Sequence, residues 1–511
     1  MSAEAIEPID DLQWLFIEDT VALISPPNEV AATRARELME RAAQARSTGA
    51  LSEMRKALAE ARVVLAGEQW DAAQAFVASL TVRPHESVID PASAATLEIG
   101  QTFFAAPPSS APVTFDVGVR AWKARPPLSA VAWRARVDSG RSDFLENPLV
   151  MQLSVEDLAD GAYDIVVRTM QGGRELGVSA RRVFVAQHLK RDIEAIEQRA
   201  AKLQLNDAMK ASIAYPADVV KSLNDRTRQV RSFDTRAALD RAFALLSDAE
   251  QGRDSLTHAK GSIERHYWLD EAKRYEPYRI VIPRNWDGKS ALPLVVFLHG
   301  SNGDHNSVLA NRALLNEAQR RSYALLSPMG YSPNSGWGNH LRVVLANGTM
   351  PRPRPSTIAG IVLPMDGVDP EPAERDVLRT LELVRAEYPI DGRRIYLMGN
   401  SMGGEGTWHL AARHPHVWAA VVPAAGAIDP PKYPYQALGR LPVLAVHGDK
   451  DPIISYVASR EMIERLQRAK GNGRLLTVAD GGHDAIYKVL PDVFDFFSRH
   501  RRRDNTNIAS Q

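Results

Sequence analysis

A strand, a tight turn and a helix follow one another without interruption around Ser401, and this run restricts the folds open to the chain. The apolar segment 395–398 leads directly into residues 399–404, GNSMGG, and a helical pattern extends from there to Arg413. Glycines on both sides of the serine permit a sharp turn that lifts its hydroxyl above a sheet. The start of a helix behind the hydroxyl favours negative charge there. The sequence therefore predicts an α/β domain in which Ser401 is a nucleophile.

Strand and helix patterns alternate from about residue 265 onward, as expected of a mostly parallel sheet with helices on both faces. In the helical segment 373–388, apolar residues recur at spacings of four, three and four, so one face of the helix should lie on the sheet. These residues are Val377, Leu381, Val384 and Tyr388. The predicted strands are 278–282, 294–298, 324–327, 395–398, 419–422, 443–446 and 475–478.

Two of these strands lead into loops that contain an acid and a histidine. Residues 447–452, HGDKDP, follow one strand, and residues 479–484, ADGGHD, follow the other. A serine hydroxyl needs a base that takes its proton and an acid that holds the base in one tautomer. The order serine, acid, histidine is that of α/β-hydrolases. We therefore predict Asp451 as the acid and His483 as the general base, with Asp449 as the alternative acid.

A further loop, HGSNG at residues 299–303, follows the apolar strand 294–298. In this fold, a backbone N–H from such a turn joins the N–H that follows the nucleophile to bind a tetrahedral oxyanion. The sequence thus predicts the N–H groups of Ser301 and Met402 as the oxyanion hole. His299 is then expected to support the loop structurally.

The connection between residues 328 and 372 is unusually long for a strand followed by a helix. Loops of this length are often functional. We interpret the connection as a lid or a wall of the acyl pocket in which Trp337 contacts substrate, with a plain surface insertion as the alternative. Trp408, on the helix after the nucleophile, is expected to be a core residue instead.

The 511-residue length favours more than one domain, because single hydrophobic cores rarely grow so large. Short β-rich runs separated by turns, such as 113–117 and 163–167, predict an antiparallel sandwich between two helical regions. The domain prediction is an N-terminal helical region (1–95), a β-sandwich (96–186), a helical connector (187–264), a catalytic α/β-hydrolase domain (265–503) and a tail (504–511).

Taken together, the segment 278–283, the loop at His299, the lead 388–391, the Ser401 turn and the Asp451 and His483 loops resemble the polyhydroxybutyrate depolymerase and feruloyl esterase group of α/β-hydrolases. The resemblance covers about residues 265–500. It implies hydrolysis of short-chain or aryl carboxylic esters through an acyl-enzyme, with no metal or organic cofactor, and it places the three residues on that group's catalytic triad.

Residues 1–264 are outside this resemblance. The phrase 158–163, LADGAY, resembles the late hairpin of immunoglobulin-like modules, and some esterases of this group have such a module before the catalytic domain. The sandwich is therefore expected to be immunoglobulin-like, and the N-terminal modules are where a homo-oligomer would form.

Charge and composition limit the partners. Lys plus Arg and Asp plus Glu both count 62, so no net field attracts nucleic acid or an anionic membrane, and a small ester is the expected partner. We interpret the basic cluster at 499–503 as solvated.

The absence of cysteine excludes disulfides, thiolate metal sites and cysteine nucleophiles. Residues 1–7, MSAEAIE, are acidic and have no apolar core, so no signal peptide and a cytoplasmic location are expected, with secretion as the alternative if a signal peptide is missing from this sequence.

Two other functions remain open at this stage. A serine peptidase of the prolyl oligopeptidase type resembles the same fold and triad, but residues 1–264 show no repeat at the period of propeller blades. Alternatively, the hydrolase domain is inert and the chain acts as a binding or scaffold protein through its sandwich.

Overall fold

A computed structural model of the chain describes residues 19, 26–123, 128–228, 230, 233–339 and 371–502. Two units divide the chain between Arg253 and Asp254. Within the described residues, no helix is both long enough and apolar enough to cross a membrane.

The first unit begins with helices, as the sequence predicts. Asn28 precedes the first of them, and its Oδ1 accepts a hydrogen bond from the Ala31 N–H at 2.8 Å, which satisfies one of the unpaired donors of a helix start. Asp71 caps the third helix in the same way through the N–H of Gln74 at 2.9 Å. These helices are α1 (Glu29–Ser47), α2 (Leu51–Leu65) and α3 (Ala72–Ser79).

Two sheets follow and enclose a single hydrophobic core. Their strands are β1 (Leu80–Pro84), β2 (Val88–Ile89), β3 (Ala95–Gln101), β4 (Val113–Ala121), β5 (Ala132–Asp138), β6 (Leu149–Leu153), β7 (Gly161–Gln171) and β8 (Arg174–Val185). In the described residues, the sheet orders are β1-β3-β6 and β2-β8-β7-β4-β5, antiparallel except for the short β2–β8 pair. Inward residues of both sheets, among them Leu97, Phe115 and Val167, are buried in one cluster.

The sheets begin earlier than the predicted boundary at residue 96. β1 starts at Leu80, directly after α3, and pairs with β3. The boundary therefore falls inside β3. The cause is the shortness of β1, whose LTVRP sequence ends in a proline and gives too few alternations to identify a strand by pattern.

A second set of helices completes the first unit and agrees with the predicted helical connector. Asn206 and Asp234 cap two of them by accepting from the N–H groups of Met209 and Ala237, each at 2.9 Å. The helices are α4 (Leu189–Ala200), α5 (Asp207–Asn224) and α6 (Thr235–Glu250).

The second unit has a mixed α/β fold. Its elements are β9 (Gly261–Leu269), β10 (Arg274–Ile282), β11 (Leu292–Leu298), α7 (Ser307–Ala310), α8 (Arg312–Arg320), β12 (Ala324–Pro328), α9 (Glu371–Glu387), β13 (Ile390–Asn400), α10 (Met402–Arg413), β14 (Ala420–Ala424), β15 (Val443–Gly448), α11 (Tyr456–Arg468), β16 (Gly473–Val478) and α12 (Leu490–Ser498). Short 3-10 turns lie at Gly336–Gly338, Tyr435–Leu438 and Ala485–Lys488.

In the described part of this unit the strands form one sheet in the order β16-β15-β14-β13-β11-β12-β10-β9. β11 to β16 are parallel to one another, whereas β10 is antiparallel to both β12 and β9. β16 is an edge strand that pairs with β15, and none of its residues is fully buried. The mostly parallel sheet is as predicted.

Helices cover both faces of the sheet. Leu294 and Val296 of β11 belong to a cluster with α9, α10 and α11, whereas Val295 and Phe297 belong to a cluster with α8 and α12. Alternate residues of a strand point to opposite faces, so the apolar run in β11 supplies both cores. The predicted buried face of α9 is confirmed, since Val377 and its three partners at helical spacing are all in the first cluster.

Each of the seven predicted strands coincides with a strand of this sheet, but β9 is not among them, and its first residues, 261–264, fall in the predicted connector. The β9 sequence, GSIERHYWL, has charged residues where an apolar alternation would be expected. The charges are paired: Glu264 accepts from Arg279 Nη2 at 2.6 Å, and Arg265 pairs with Glu387. Because these partners lie elsewhere in the chain, the local pattern does not reveal the strand, and the predicted boundary at 265 falls inside it.

Replacement of Leu381 by alanine tests the packing of α9. The side chain is buried in the core between α9 and the sheet. Leu381→Ala should lower the free energy of unfolding by about 2–5 kcal/mol through lost contacts and a cavity. The measurement is urea denaturation of the full chain, with the transition assigned by hydrogen exchange of β11 and β13 peptides. Glu382→Ala, at an exposed position of the same helix, should change stability by less than about 0.5 kcal/mol. Equal effects of the two changes would contradict this packing.

Candidate active site

Ser401 occupies a strained turn between β13 and α10. Its backbone angles are φ 59° and ψ −125°, a region that residues with a side chain rarely adopt. The Ser401 N–H donates to Ala424 O of the neighbouring strand at 3.0 Å, which fixes the turn to the sheet. The hydroxyl is thus held at the carboxyl end of the central strands by the backbone.

Glycines permit this turn because the helix passes directly against the strands. A Cβ atom on Gly403 would lie 2.1 Å from Leu298 O, and one on Gly404 would lie 2.2 Å from Ala424 O. A Cβ on Gly399 would lie 2.4 Å from Gly403 O. All three positions therefore require glycine for α10 to approach β11 and β14 so closely.

The structure brings His483 to Asp451. His483 Nδ1 lies 2.9 Å from Asp451 Oδ2 and 3.1 Å from Oδ1. Because an ionised carboxylate only accepts hydrogen bonds, Nδ1 is the protonated nitrogen and Nε2 of a neutral ring is free to accept a proton. Asp449, the alternative acid, is exposed, and its backbone N–H donates to Val478 O.

Asp451 is buried yet ionised. Burial alone would raise its pKa, but hydrogen bonds from His447 and His483, the charge of His483 and the Ile453 N–H together hold the pKa well below its ordinary range. Ile453 and Ile454 donate to Oδ1 through their backbone N–H groups at 2.8 and 3.1 Å. The carboxylate is therefore ionised at neutral pH.

Direct contacts join the acid loop, the histidine loop and the serine turn. The Lys450 N–H donates to Gly481 O at 2.9 Å, and a Cβ on Gly448 would lie only 2.1 Å from the same oxygen. Asn400 Nδ2 donates to Asp484 Oδ1 at 3.1 Å and so links the neighbours of the serine and the histidine. Among the described residues, no hydrogen bond joins Ser401 Oγ to His483, a contact that is often long without substrate.

The loop after β11 faces the serine. A Cβ on Gly300 would lie 3.6 Å from Ser401 Cβ and 3.4 Å from Asn400 O. Ser301, the next residue, is exposed, whereas Met402 begins α10, where the first N–H groups have no partner within the helix. The N–H groups of Ser301 and Met402 thus belong to two segments that meet at the nucleophile, and their use as an oxyanion hole stays a prediction.

His299 supports this loop, as expected. It is fully buried, with Nε2 2.8 Å from Met329 O and Nδ1 2.9 Å from Gly300 O. Burial lowers the pKa of His299, so the ring is neutral at neutral pH. The imidazole therefore fastens the loop after β11 to the loop after β12.

Trp337 is placed differently from the prediction. It is 0% exposed, its Nε1 donates to His299 O at 3.1 Å, and its ring centroid is 4.8 Å from that of His299. Its ring lies directly against Gly330 and Gly406, where a Cβ would be 2.6 and 2.5 Å away. In this structure Trp337 is thus a packing residue beneath the loop rather than an exposed pocket wall. Residues 340–370 of the predicted lid lie outside the described residues.

Asp376 of α9 binds the loop after β12 at Gly330, next to Trp337. Its carboxylate accepts from Tyr267 Oη at 2.6 Å and from the Gly330 N–H. Complete burial and the nearby charge of Glu276 raise the pKa of Asp376 to about 7. Trp408 is buried in the core, as expected.

Sequence reasoning missed the second histidine at the acid. His447 Nε2 lies 3.0 Å from Asp451 Oδ2, so the carboxylate lies between two imidazoles. In the sequence HGDKD, His447 lies four positions before Asp451, and this spacing was the available signal. It does not show which way the His447 ring points. Across the described residues, no group of three or more His, Asp or Glu side chains has the arrangement of a metal site.

Comparisons with known proteins concern mainly the segment that contains this site. A family described as Phospholipase/Carboxylesterase matches residues 372–501. NocK from Nocardia uniformis subsp. tsuyamanensis, which its name places among esterases, is 29% identical over 163 residues, 32% of this chain and 40% of that protein. The bifunctional acetylxylan esterase/xylanase XynS20E of Neocallimastix patriciarum is 26% identical over 165 residues, 32% of this chain and 20% of that protein.

Solved structures are similar to a lower degree. A thermostable esterase covers 83% of this chain, with 98% of its own length, 18% identity and a TM-score of 0.36. The feruloyl esterase module of Clostridium thermocellum with bound sinapinate covers 50% of this chain, with 92% of its own length, 14% identity and a TM-score of 0.35. At these TM-scores neither superposition supports a conclusion about this chain. In sequence, the segment 372–501 is similar to carboxylic-ester hydrolases.

Proposed function

We propose that this chain is a serine carboxylic-ester hydrolase. The observation that carries the proposal is the hydrogen bond between His483 Nδ1 and Asp451, beside the strained turn of Ser401. All three residues lie inside the segment that matches the phospholipase and carboxylesterase family. A buried carboxylate, an imidazole with Nε2 free and a serine at a helix start are the parts that acyl transfer needs.

The proposed reaction proceeds through an acyl-enzyme. Ser401 gives its proton to His483 Nε2 and attacks the ester carbonyl, while the N–H groups of Ser301 and Met402 donate hydrogen bonds to the oxygen on which negative charge develops. The protonated His483 then gives its proton to the leaving alcohol. Water, activated by the same imidazole, releases the acid and restores the serine. Asp451 remains ionised throughout and stabilises the imidazolium.

The substrate class we propose is a short-chain or aryl ester of feruloyl type. Its support is the resemblance of the loop sequences to the polyhydroxybutyrate depolymerase and feruloyl esterase group, together with the acetylxylan esterase activity in the name of one relative. We propose that the two-sheet module of the first unit, which encloses its own core, is immunoglobulin-like.

Ser401→Ala is the first test of the function. Wild type and variant are compared on p-nitrophenyl acetate, butyrate and octanoate, on methyl ferulate and on a matched peptide anilide. The ester rates should fall by roughly four orders of magnitude or more, and labelling by a fluorophosphonate should disappear. Ser498→Ala, which removes an exposed hydroxyl of the same unit, should retain both. Faster turnover of the peptide anilide than of the matched ester would favour a peptidase, and no turnover at all would contradict the proposal.

Asp451→Asn and Asp449→Asn form a matched pair that identifies the acid. The amide introduced by Asp451→Asn would present an N–H to His483 and favour the wrong tautomer, so kcat should fall by about 10⁴. Asp449 is exposed, so its replacement should leave kcat within about threefold. The measurement is kcat and KM for p-nitrophenyl butyrate. A larger loss from the change at Asp449 than from the change at Asp451 would reverse the assignment.

Trp337→Phe distinguishes a packing residue from a pocket wall. The change removes the hydrogen bond to His299 O and keeps an aromatic ring. If Trp337 only supports the loop, kcat should fall by about tenfold for acetate and octanoate alike, less than the loss of an oxyanion donor. Trp418→Phe is the control, because its Nε1 donates to Leu410 O elsewhere in the core. A changed ratio of octanoate to acetate turnover would show that the ring contacts the acyl chain.

A further inference from the structure

We propose that His447 is a positioning residue for the reaction: it donates a hydrogen bond to Asp451, and Ser459 holds the ring in the orientation that does so. The inference rests on the proposed function, because Asp451 is the acid of that reaction. The inference adds the side chains of His447 and Ser459 to the proposed site. It predicts that they affect how tightly His483 binds its proton.

The geometry places His447 between two partners. The side chains of His447 and Asp451 are both 0% exposed. His447 Nε2 lies 3.0 Å from Asp451 Oδ2 and 3.2 Å from Ile454 O, and Nδ1 lies 2.7 Å from Ser459 Oγ. Both nitrogens of a fully buried ring are therefore hydrogen-bonded.

These partners determine the tautomer. Ile454 O and an ionised Asp451 can only accept, so Nε2 carries the hydrogen and is shared between them. Nδ1 of the neutral ring then lacks a hydrogen and accepts one from the Ser459 hydroxyl. The other tautomer would place a lone pair of Nε2 against the carboxylate, which is repulsive. Ser459, in the first turns of α11, pairs with Nδ1 and so holds the ring in the orientation that directs Nε2–H to Asp451.

The donor from His447 competes with His483 for one oxygen. Asp451 Oδ2 is 2.9 Å from His483 Nδ1 and 3.0 Å from His447 Nε2. A second donor stabilises the negative charge and weakens the attraction of the carboxylate for a protonated His483. Three further described groups that face His447 are neutral: the Ile454 carbonyl, the Ser459 hydroxyl and the Tyr456 ring, whose centroid is 6.0 Å away. His447 therefore keeps the base from binding its proton too tightly.

The competition for Asp451 Oδ2 predicts how the protonation of His483 changes when His447 is replaced. Removal of the Nε2–H donor leaves more negative charge available to His483, so the protonated form of His483 is stabilised relative to the neutral form. Since the reaction needs neutral His483, the acid limb of the pH profile should move to higher pH. A residue that only fills space would lower stability without moving this limb.

The test compares His447→Leu, His447→Gln and Ser459→Ala in the full chain. Leucine removes the donor, whereas the glutamine amide places an N–H close to the position of Nε2. For p-nitrophenyl butyrate, His447→Leu should raise the midpoint of the acid limb by about 0.5–1 pH unit and lower kcat by about tenfold, with KM nearly unchanged. His447→Gln should restore the midpoint and most of kcat, and Ser459→Ala should give an intermediate shift.

A second measurement does not depend on turnover. The protonation of His483 is titrated by NMR of the imidazole Cε1–H in histidine-labelled protein, with its signal assigned from His483→Gln. The midpoint should rise in His447→Leu and return in His447→Gln. Equal midpoints in wild type and both His447 variants would overturn the inference, even with a loss of kcat. If the wild type titrates as expected but hydrolyses no ester, the proposed function fails while the coupling between the two histidines stands. If His447→Leu does not fold, Ser459→Ala decides, because an unchanged midpoint there overturns the inference.

Discussion

The close approach of α10 to the sheet is the constraint on which the rest of the second unit depends. Carbonyl oxygens of β11 and β14 occupy the space that side chains on Gly403 and Gly404 would need. A fourth glycine, Gly426 after β14, completes this contact, since its Cβ would lie 2.4 Å from the Gly404 carbonyl carbon. Because α10 packs so closely on the sheet, the chain must turn abruptly between β13 and α10. Ser401, at this turn, adopts a strained backbone conformation that the packing around it maintains.

The parallel sheet then gathers the remaining groups. Parallel strands end at the same edge of a sheet. The order of the strands therefore brings together the loops after β11, β13, β15 and β16. Local contacts refine their positions: Lys450 to Gly481, Asn400 to Asp484 and His299 to Met329. Each of these bonds joins one loop to another, so the site is supported as a group of loops rather than residue by residue.

Much of this could be predicted from the sequence because the patterns are local. An apolar strand followed by glycines and a helix identifies the turn at Ser401, and β11 to β16 are apolar runs between helices. The strand β9 and the burial of Trp337 could not be predicted, since each depends on partners far away in the chain. His447 belongs to the same sequence motif as Asp451. The orientation of its ring, however, depends on a hydrogen bond with Ser459 in α11, which the motif does not contain. The chemical roles of the site residues remain predictions.

The position of β16 at the edge of the sheet has a consequence for how activity is lost. Among the described strands, the one before the His483 loop has a single neighbour and no fully buried residue, whereas Ser401 follows a central, buried strand. Opening of an edge segment costs less free energy than unfolding of the whole domain. On heating, His483 should therefore separate from Ser401 in partially open molecules that still retain their core. Heat inactivation would then precede global melting, and it would be reversible while the remaining strands serve as a template for β16.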